Sequence, residues 1–216
     1  KKSTSKALFK NTGIIAIGQI STKIVNFFLL PLYTALLTTE EYGLVDLLIT
    51  YAGLIAVIVG LQVFQAVFRF LVTIRENKKE CATAISSIVL FTLLILVVYT
   101  VIFVPISKFI TVKYAWFLLV YVVSNILLQT FSSIVRGLGD NTQYAFANFF
   151  SSAIIVVLNV FFIAILRLNI GWMLLSYCIG PVLGAVYLIL KCKLWKYISF
   201  SLYDWKFVKK VLCYAI

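Results

Sequence analysis

Three polar residues lie on one face of the first long apolar stretch of this 216-residue chain. Gln19, Lys23 and Asn26 follow the spacing i, i+4, i+7, which places them on one side of a helix. A helix that crosses a bilayer needs about 20 apolar residues at about 1.5 Å each, so Lys23 would lie about 16 Å deep. A charge at that depth costs from about 3 to more than 10 kcal/mol unless it faces a protein interior or water. The three residues therefore predict one wall of a polar cavity inside a membrane.

The composition agrees with a membrane setting. Hydrophobic residues make up 63% of the chain and charged residues 12%, and the mean hydropathy is +1.08. These values lie far outside the range of soluble domains and predict an all-α polytopic membrane protein. The net charge of +12 is more typical of cationic loops beside apolar spans than of a nucleic-acid partner, which we do not expect.

The chain divides into six apolar segments, each long enough to span a bilayer. The connections between them are polar and too short to hold a folded domain outside the membrane. The predicted segments are 12–37, 43–73, 83–105, 114–135, 143–166 and 170–190. We therefore predict a six-helix lobe over residues 1–190, an amphipathic cytoplasmic linker over 191–205, and the start of a second lobe, cut off inside a seventh helix, over 206–216.

Lysine and arginine predict the orientation of these segments, because short cytoplasmic loops hold the excess of both. With the N-terminus inside, 14 basic residues face the cytoplasm and 3 face outward. The inner set is Lys1, Lys2, Lys6, Lys10, Arg75, Lys78, Lys79, Arg136, Lys191, Lys193, Lys196, Lys206, Lys209 and Lys210, and the outer set is Lys108, Lys113 and Arg167. The first segment is too long for a signal-peptide core and has no cleavage site, so we expect it to remain. The four cysteines have no metal-ligand spacing and are expected to be free thiols.

Three further segments each carry a polar stripe at helical spacing. The stripes are Tyr51, Gln62, Gln65 and Arg69 in the second segment, Tyr121, Asn125, Gln129, Ser132 and Arg136 in the fourth, and Tyr144, Asn148, Ser152 and Asn159 in the fifth. Two simpler interpretations remain open. Arg69 lies near the inner end and can snorkel to the headgroups, and single Asn or Gln side chains often join helices in membranes. Stripes on four helices nevertheless favour one shared hydrophilic lumen.

Catalytic chemistry has little support in the sequence. The chain has no histidine, and its carboxylates lie in loops or at segment ends, without a pair placed for acid–base catalysis. No metal-ligand pattern and no phosphate-binding glycine loop occurs. We therefore predict a transporter and not an enzyme, with no catalytic residue, no metal site and no cofactor.

Two stretches resemble a known family. They are FLLPLYTALLTTEEYGLVDL at 28–47 and RGLGDNTQYAFANFFSSAIIVVLNVFFI at 136–163. The first resembles the N-terminal signature of polysaccharide-repeat flippases in the multidrug/oligosaccharidyl-lipid/polysaccharide exporter superfamily. The second resembles the family's connection between its fourth and fifth helices. The resemblance implies two lobes of six helices each, of which this chain would be the N-terminal one plus the start of the next.

The resemblance also implies a function. A protein of this family would move an undecaprenyl-diphosphate-linked oligosaccharide from the inner to the outer leaflet of a bacterial cell membrane, by alternating access, for surface polysaccharide synthesis. Its partners would be that substrate, membrane lipids and polysaccharide polymerase machinery. Lys23 would attract the diphosphate, and the other stripe residues would meet the sugars. The candidate substrate-binding residues are Gln19, Lys23, Asn26, Gln62, Gln65, Arg69, Asn125, Gln129, Arg136, Asn148 and Asn159.

Other functions are less consistent with the residues. A multidrug or cation antiporter of the same superfamily is the main alternative, and it would be expected to carry acidic residues inside this lobe, where only Asp46 offers support. A membrane glycosyltransferase or polymerase would need a large outer loop or a carboxylate site. A purely structural bundle would leave Lys23 unexplained.

The predicted orientation can be tested with single cysteines in a cysteine-free background. We expect cysteine at Thr39 or Asn169 to react with an impermeant thiol reagent in intact cells, because both positions fall on the outer side. Cysteine at Lys78 should not react. The reverse pattern of labelling would contradict this topology.

Overall fold

The computed structural model describes residues 13, 27, 30, 31, 33–109, 113–199 and 202–215. The described residues of the first predicted segment are helical up to Leu36. Seven α-helices follow within the described ranges. A six-residue π-helical turn, Val160–Ile165, extends the fifth, and a short 3-10 helix, Leu194–Lys196, follows the sixth. The seven α-helices are α1 (Thr39–Gly60), α2 (Val63–Ile74), α3 (Lys78–Phe109), α4 (Ala115–Gly137), α5 (Asn141–Asn159), α6 (Ile170–Lys191) and α7 (Trp205–Ala215). The described ranges contain no strand, which confirms the predicted all-α class.

Five of these helices are long and apolar enough to cross a membrane, counting α5 together with its π-helical turn. They are α1, α3, α4, α5 and α6. The helices α4 and α6 are the most enclosed, since half of the most apolar stretch of each is buried against neighbouring helices. The outer helices instead expose large apolar side chains such as Val97 and Ile102 of α3. Exposed apolar faces on long helices are what a lipid-facing bundle requires.

The polar turn before the second predicted segment is a helix start. Thr38 is the N-cap of α1, and its hydroxyl accepts a hydrogen bond from the Glu41 backbone N–H at 3.2 Å. The Glu41 carboxylate in turn accepts from the Thr38 backbone N–H at 3.0 Å. This reciprocal capping satisfies two donors that a helix end leaves without partners.

The second predicted segment, 43–73, is two helices and not one. Leu61 and Gln62 both have left-handed backbone angles, with φ of 47° and 52°. That conformation costs non-glycine residues about 1–2 kcal/mol each, so the surrounding packing must stabilise the break. Part of this packing joins α2 to α4, where Leu71 lies directly against the backbone of Gly137. An uninterrupted apolar run gives no local sign of such a break.

The linker after α6 is attached to the lobe by two buried serines of α3. The Ser86 hydroxyl donates to the Tyr197 carbonyl at 2.6 Å and accepts from the Ser199 N–H at 3.1 Å. The Ser87 hydroxyl accepts from the Asp204 N–H at 2.8 Å. Both serines are fully buried. These hydrogen bonds place the start of α7 beside α3.

The helices α5 and α6 approach closely through small residues. A Cβ atom added to Gly180 would lie 2.7 Å from the Ser151 carbonyl oxygen, and one added to Gly184 would lie 3.1 Å from the Ser151 Cβ. Small residues at such contacts let membrane helices pack backbone to backbone. This packing positions the N-terminal half of α5 against the rest of the lobe.

We expect Gly180→Ala to destabilise the protein by about 1–3 kcal/mol, because the added methyl group meets a backbone oxygen that cannot move aside cheaply. The measurement is the apparent melting temperature of the detergent-purified protein. The matched control is Gly53→Ala in α1, where an added Cβ has no neighbour within 4 Å. Equal melting temperatures for the two variants would contradict the close approach of α5 and α6.

Candidate functional site

A cavity of about 680 Å³ lies where α2 and α4 end and α5 begins. Four helices contribute to its wall: α2, α4, α5 and α7. The described lining residues are Phe64, Gln65, Phe68, Arg69, Val72, Thr73, Gln129, Ser132, Ser133, Arg136, Tyr144, Asn148 and Tyr214. They include two arginines and no carboxylate, so the described part of the wall is cationic.

Helical periodicity explains how the sequence builds this wall. The α2 lining positions 64, 65, 68, 69, 72 and 73 recur with the period of one helical face, and the opposite face buries Ala66, Val67 and Leu71. The α4 positions 129, 132, 133 and 136 follow the same rule. Each helix therefore presents its polar stripe to the cavity and packs its apolar side against the lobe.

Arg136, in the last turn of α4, is held between two aromatic rings. Its guanidinium carbon lies 4.2 Å from the ring centroid of Phe68 in α2 and 5.4 Å from that of Tyr144 in α5. Cation–π contacts of this kind are worth about 0.5–2 kcal/mol each. The Arg136 Nε is buried and has no hydrogen-bond partner among the described residues. Among the described residues this buried donor is therefore unsatisfied.

Arg69, in the middle of α2, is held differently. Its guanidinium carbon lies 4.5 Å from the ring centroid of Tyr214 in α7, and its Nη1 donates a hydrogen bond to the Tyr214 hydroxyl. Both arginines thus reach the same cavity, but a different helix holds each guanidinium.

Neutral polar groups also belong to the described wall or adjoin it. Gln129 donates to the Asn125 side-chain oxygen. Asn148 donates to the Tyr144 carbonyl at 2.8 Å and to the Ser132 hydroxyl at 3.3 Å. Amides and hydroxyls present donors and acceptors together, so this wall can exchange hydrogen bonds with water or with sugar hydroxyls.

A second cavity, of about 820 Å³, lies at the other end of α4. Glu40, Glu41, Lys113 and Asn169 are among its described lining residues, so both signs of charge are present. Within the described ranges, no three His, Cys, Asp or Glu side chains come together as a metal site would require. The cationic cavity between α2, α4, α5 and α7 is therefore the stronger candidate site.

The structure brings together five of the predicted site residues: Gln65, Arg69, Gln129, Arg136 and Asn148 all line the cationic cavity. Two more adjoin it through hydrogen bonds. Asn125 accepts from Gln129, and Gln62 accepts from the Gln65 side chain at 2.7 Å. Tyr51, which lies before the helix break, is exposed and is not on the described lining.

The other four predicted residues do not belong to this group. Asn159 is fully buried, and its side-chain atoms have no hydrogen-bond partner among the described residues. Gln19, Lys23 and Asn26 lie outside the described residues. Their role in a deep cationic wall therefore stays a prediction.

Sequence reasoning missed two aromatic residues that hold the arginines. In the sequence, Phe68 looks like any other apolar residue of a membrane span. It lies four residues after Phe64 and next to Arg69, however, and this spacing places it on the helix face that lines the cavity. Tyr214 lies in the run that we assigned to the second lobe. Its spacing of seven residues from Phe207 is the available signal, because it puts two aromatic rings on one face of α7.

Comparison with known proteins identifies the family. A family profile described as "Polysaccharide biosynthesis protein" matches residues 8–216. The chain belongs to this polysaccharide biosynthesis protein family. The family resemblance predicted from the two motifs is confirmed. No curated protein gives a significant match to the chain.

Solved structures with the same fold are transporters. An outward-facing multidrug resistance MATE family transporter of the MOP superfamily is 19% identical with a TM-score of 0.78, over 96% of this chain and 50% of that one. A MOP superfamily transporter from Pyrococcus furiosus, described as having a binding pocket of reverse polarity that suggests a different function, is 19% identical with a TM-score of 0.76, over 97% and 51%. This polysaccharide biosynthesis family chain therefore has the MOP lobe fold and spans about half the length of these transporters.

We expect water to enter the cationic cavity from the membrane surface. Cysteine at Ser133, on the cavity wall, should react with small hydrophilic thiol reagents in a cysteine-free background. Cysteine at Leu94, an exposed position of α3, should be protected by lipid, and cysteine at the fully buried Asn159 should also be protected. Protection at all three positions would favour the interpretation of the polar stripes as contacts between helices.

Proposed function

We propose that this protein moves an undecaprenyl-diphosphate-linked oligosaccharide from the inner to the outer leaflet of a cell membrane, and that the cationic cavity receives the diphosphate. The observation that carries the proposal is a wall with two arginines and no carboxylate among its described residues. The wall belongs to a membrane lobe of the polysaccharide biosynthesis protein family. An anionic lipid-linked sugar is the ligand that matches both facts.

The chemistry of the wall fits the parts of such a substrate. A guanidinium binds phosphate oxygens through charge-assisted hydrogen bonds, which are about twice as strong as neutral ones. Arg136 has its Nε–H without a partner among the described residues, so a phosphate oxygen would satisfy a buried donor. Arg69 supplies the second positive charge. The amides of Gln129 and Asn148 would meet the first sugars, and the polyprenyl chain can stay in the surrounding lipid.

The position of the cavity supports loading from the cytoplasm. Arg136 and Arg69 lie at the end of the lobe that the count of basic residues assigns to the inner side. Lys23, predicted near the middle of the membrane, would then provide the next cationic position along the path. Alternating access between two lobes would carry the headgroup past it, with the N-terminus on the cytoplasmic side.

The alternative of a multidrug or cation antiporter has one supporting observation, which is the MATE fold of the neighbours. At 19% identity that likeness concerns the fold alone. A cationic substrate would need a carboxylate where the described wall of the cavity offers two arginines. Asp46, the acidic residue that favoured this alternative, is exposed on α1 and does not appear in that wall. The charge of the cavity therefore favours the anionic substrate.

The proposal predicts that the charge of each arginine contributes to transport. The assay follows a fluorescent undecaprenyl-diphosphate oligosaccharide between the leaflets of proteoliposomes that contain the full-length protein. Arg136→Gln and Arg69→Gln should each weaken apparent affinity by about 10- to 100-fold, since a hydrogen bond to a charged group is worth about 1.5–3 kcal/mol. Lys23→Gln should also lose transport.

The matched control is Arg75→Gln, because Arg75 is exposed just beyond α2 and is not part of the described wall. It should transport as well as the parent at equal protein abundance. Transport that is insensitive to both Arg136→Gln and Arg69→Gln would contradict the proposed diphosphate site.

A further inference from the structure

We infer that Tyr214 is a positioning residue that holds the Arg69 guanidinium at the wall of the cavity, so that the placement of α7 sets the cavity's affinity for a diphosphate. The inference rests on the proposed function for the identity of the ligand. The positioning itself rests on contacts between α2 and α7.

Tyr214 contacts Arg69 in two ways. Its ring centroid lies 4.5 Å from the guanidinium carbon, and its hydroxyl accepts a hydrogen bond from Nη1. The ring contact and the hydrogen bond together restrict both the position and the rotation of the guanidinium. Arg69 is otherwise an exposed side chain with many rotamers, and a ligand would have to order it on binding. A guanidinium that is already ordered binds an anion more tightly.

The two arginines of the cavity differ in what holds them. Arg136 is held by Phe68 and Tyr144, which belong to α2 and α5 inside the six-helix lobe. Arg69 depends on Tyr214, which belongs to α7 beyond the linker. The Arg136 guanidinium is therefore ordered by the six-helix lobe itself, whereas the Arg69 guanidinium is ordered when α7 lies beside α2.

Contacts other than the one to Arg69 place α7. Val208 and Val211 are buried against the lobe. The rings of Phe207 and Tyr214 both pack edge-on against Phe70 of α2, with centroids 6.0 and 5.9 Å away. The linker before α7 is fixed by the hydrogen bonds to α3 described above. Tyr214 is thus held in position by the packing of α7, and Arg69 follows it.

A consequence for transport follows from this dependence. If α7 moves away from α2 when the lobes rearrange, the hydroxyl and the ring leave Arg69 together. The guanidinium then loses its orientation, and the cavity retains the single ordered cation at Arg136. The affinity for the diphosphate would fall as the lobe changes state, which favours release of the substrate after it has been carried across.

A double-mutant cycle tests whether Tyr214 acts through Arg69. The probe is undecaprenyl diphosphate, titrated onto the full-length protein in nanodiscs. We expect Tyr214→Ala to weaken binding about three- to tenfold and to have no further effect in an Arg69→Ala background. Tyr214→Phe removes the hydroxyl but keeps the ring contact, so its loss of affinity, as a logarithm, should be about half of the loss in Tyr214→Ala. Equal losses from Tyr214→Ala in the two backgrounds would overturn the inference.

Phe207→Ala provides the matched control for the packing of α7. It removes the other ring that packs on Phe70 but no contact to Arg69. Val208 and Val211 still bury α7 against the lobe and the Tyr214 ring still packs on Phe70, so α7 should stay beside α2. The variant should therefore lower the melting temperature and leave affinity within about twofold of the parent. An equal loss of affinity in Phe207→Ala and Tyr214→Ala would mean that general packing, and not the Arg69 contact, sets the affinity.

A second readout does not depend on the substrate. The rate at which phenylglyoxal modifies Arg69, measured by mass spectrometry against Arg75 in the same molecule, should rise several-fold in Tyr214→Ala. An unchanged rate would overturn the positioning of Arg69. If the rate rises while undecaprenyl diphosphate binds neither the parent nor the variant, the positioning is supported and the proposed substrate is refuted.

Discussion

The geometry of the cavity depends on one guanidinium placed between two aromatic rings. Phe68 of α2 and Tyr144 of α5 approach Arg136 of α4, so three helices must converge to within one side chain's reach. An arginine does not lose its proton in a protein, and the ring faces attract its charge without neutralising it. A carboxylate partner at this point would have cancelled the charge. The lobe therefore keeps a positive group available at the mouth of its cavity.

The sequence predicted the parts of this site that follow from helical periodicity. Gln65 and Arg69 share a face of α2, and Gln129 and Arg136 share a face of α4, because positions three, four and seven residues apart always do. Charge and depth then indicated which face turns inward. These inferences needed no knowledge of how the helices are arranged.

The features that the sequence did not predict depend on contacts between distant residues. The break at Leu61 and Gln62 occurs inside an unbroken apolar run, where local propensity favours a continuous helix; packing of α2 on α4 overrides it. Phe68 is the type of residue that usually faces lipid. Its contact with a guanidinium forms because α4 places Arg136 against its ring. Tyr214 is separated from Arg69 by 145 residues, a pairing that no local pattern encodes.

The hydrogen bonds between α3 and the linker also constrain the order in which the protein is assembled. Ser86 is separated by 111 residues from Tyr197, and Ser87 by 117 from Asp204. A ribosome therefore completes α3 long before it makes the backbone groups that these hydroxyls will bind, and chains fold from their N-terminal end as they emerge. Throughout that interval the Ser86 hydroxyl has neither linker partner, and a polar group left without one inside apolar surroundings is costly. The surface of α3 around Ser86 and Ser87 therefore stays unpaired in the nascent lobe until the linker is made and forms these hydrogen bonds.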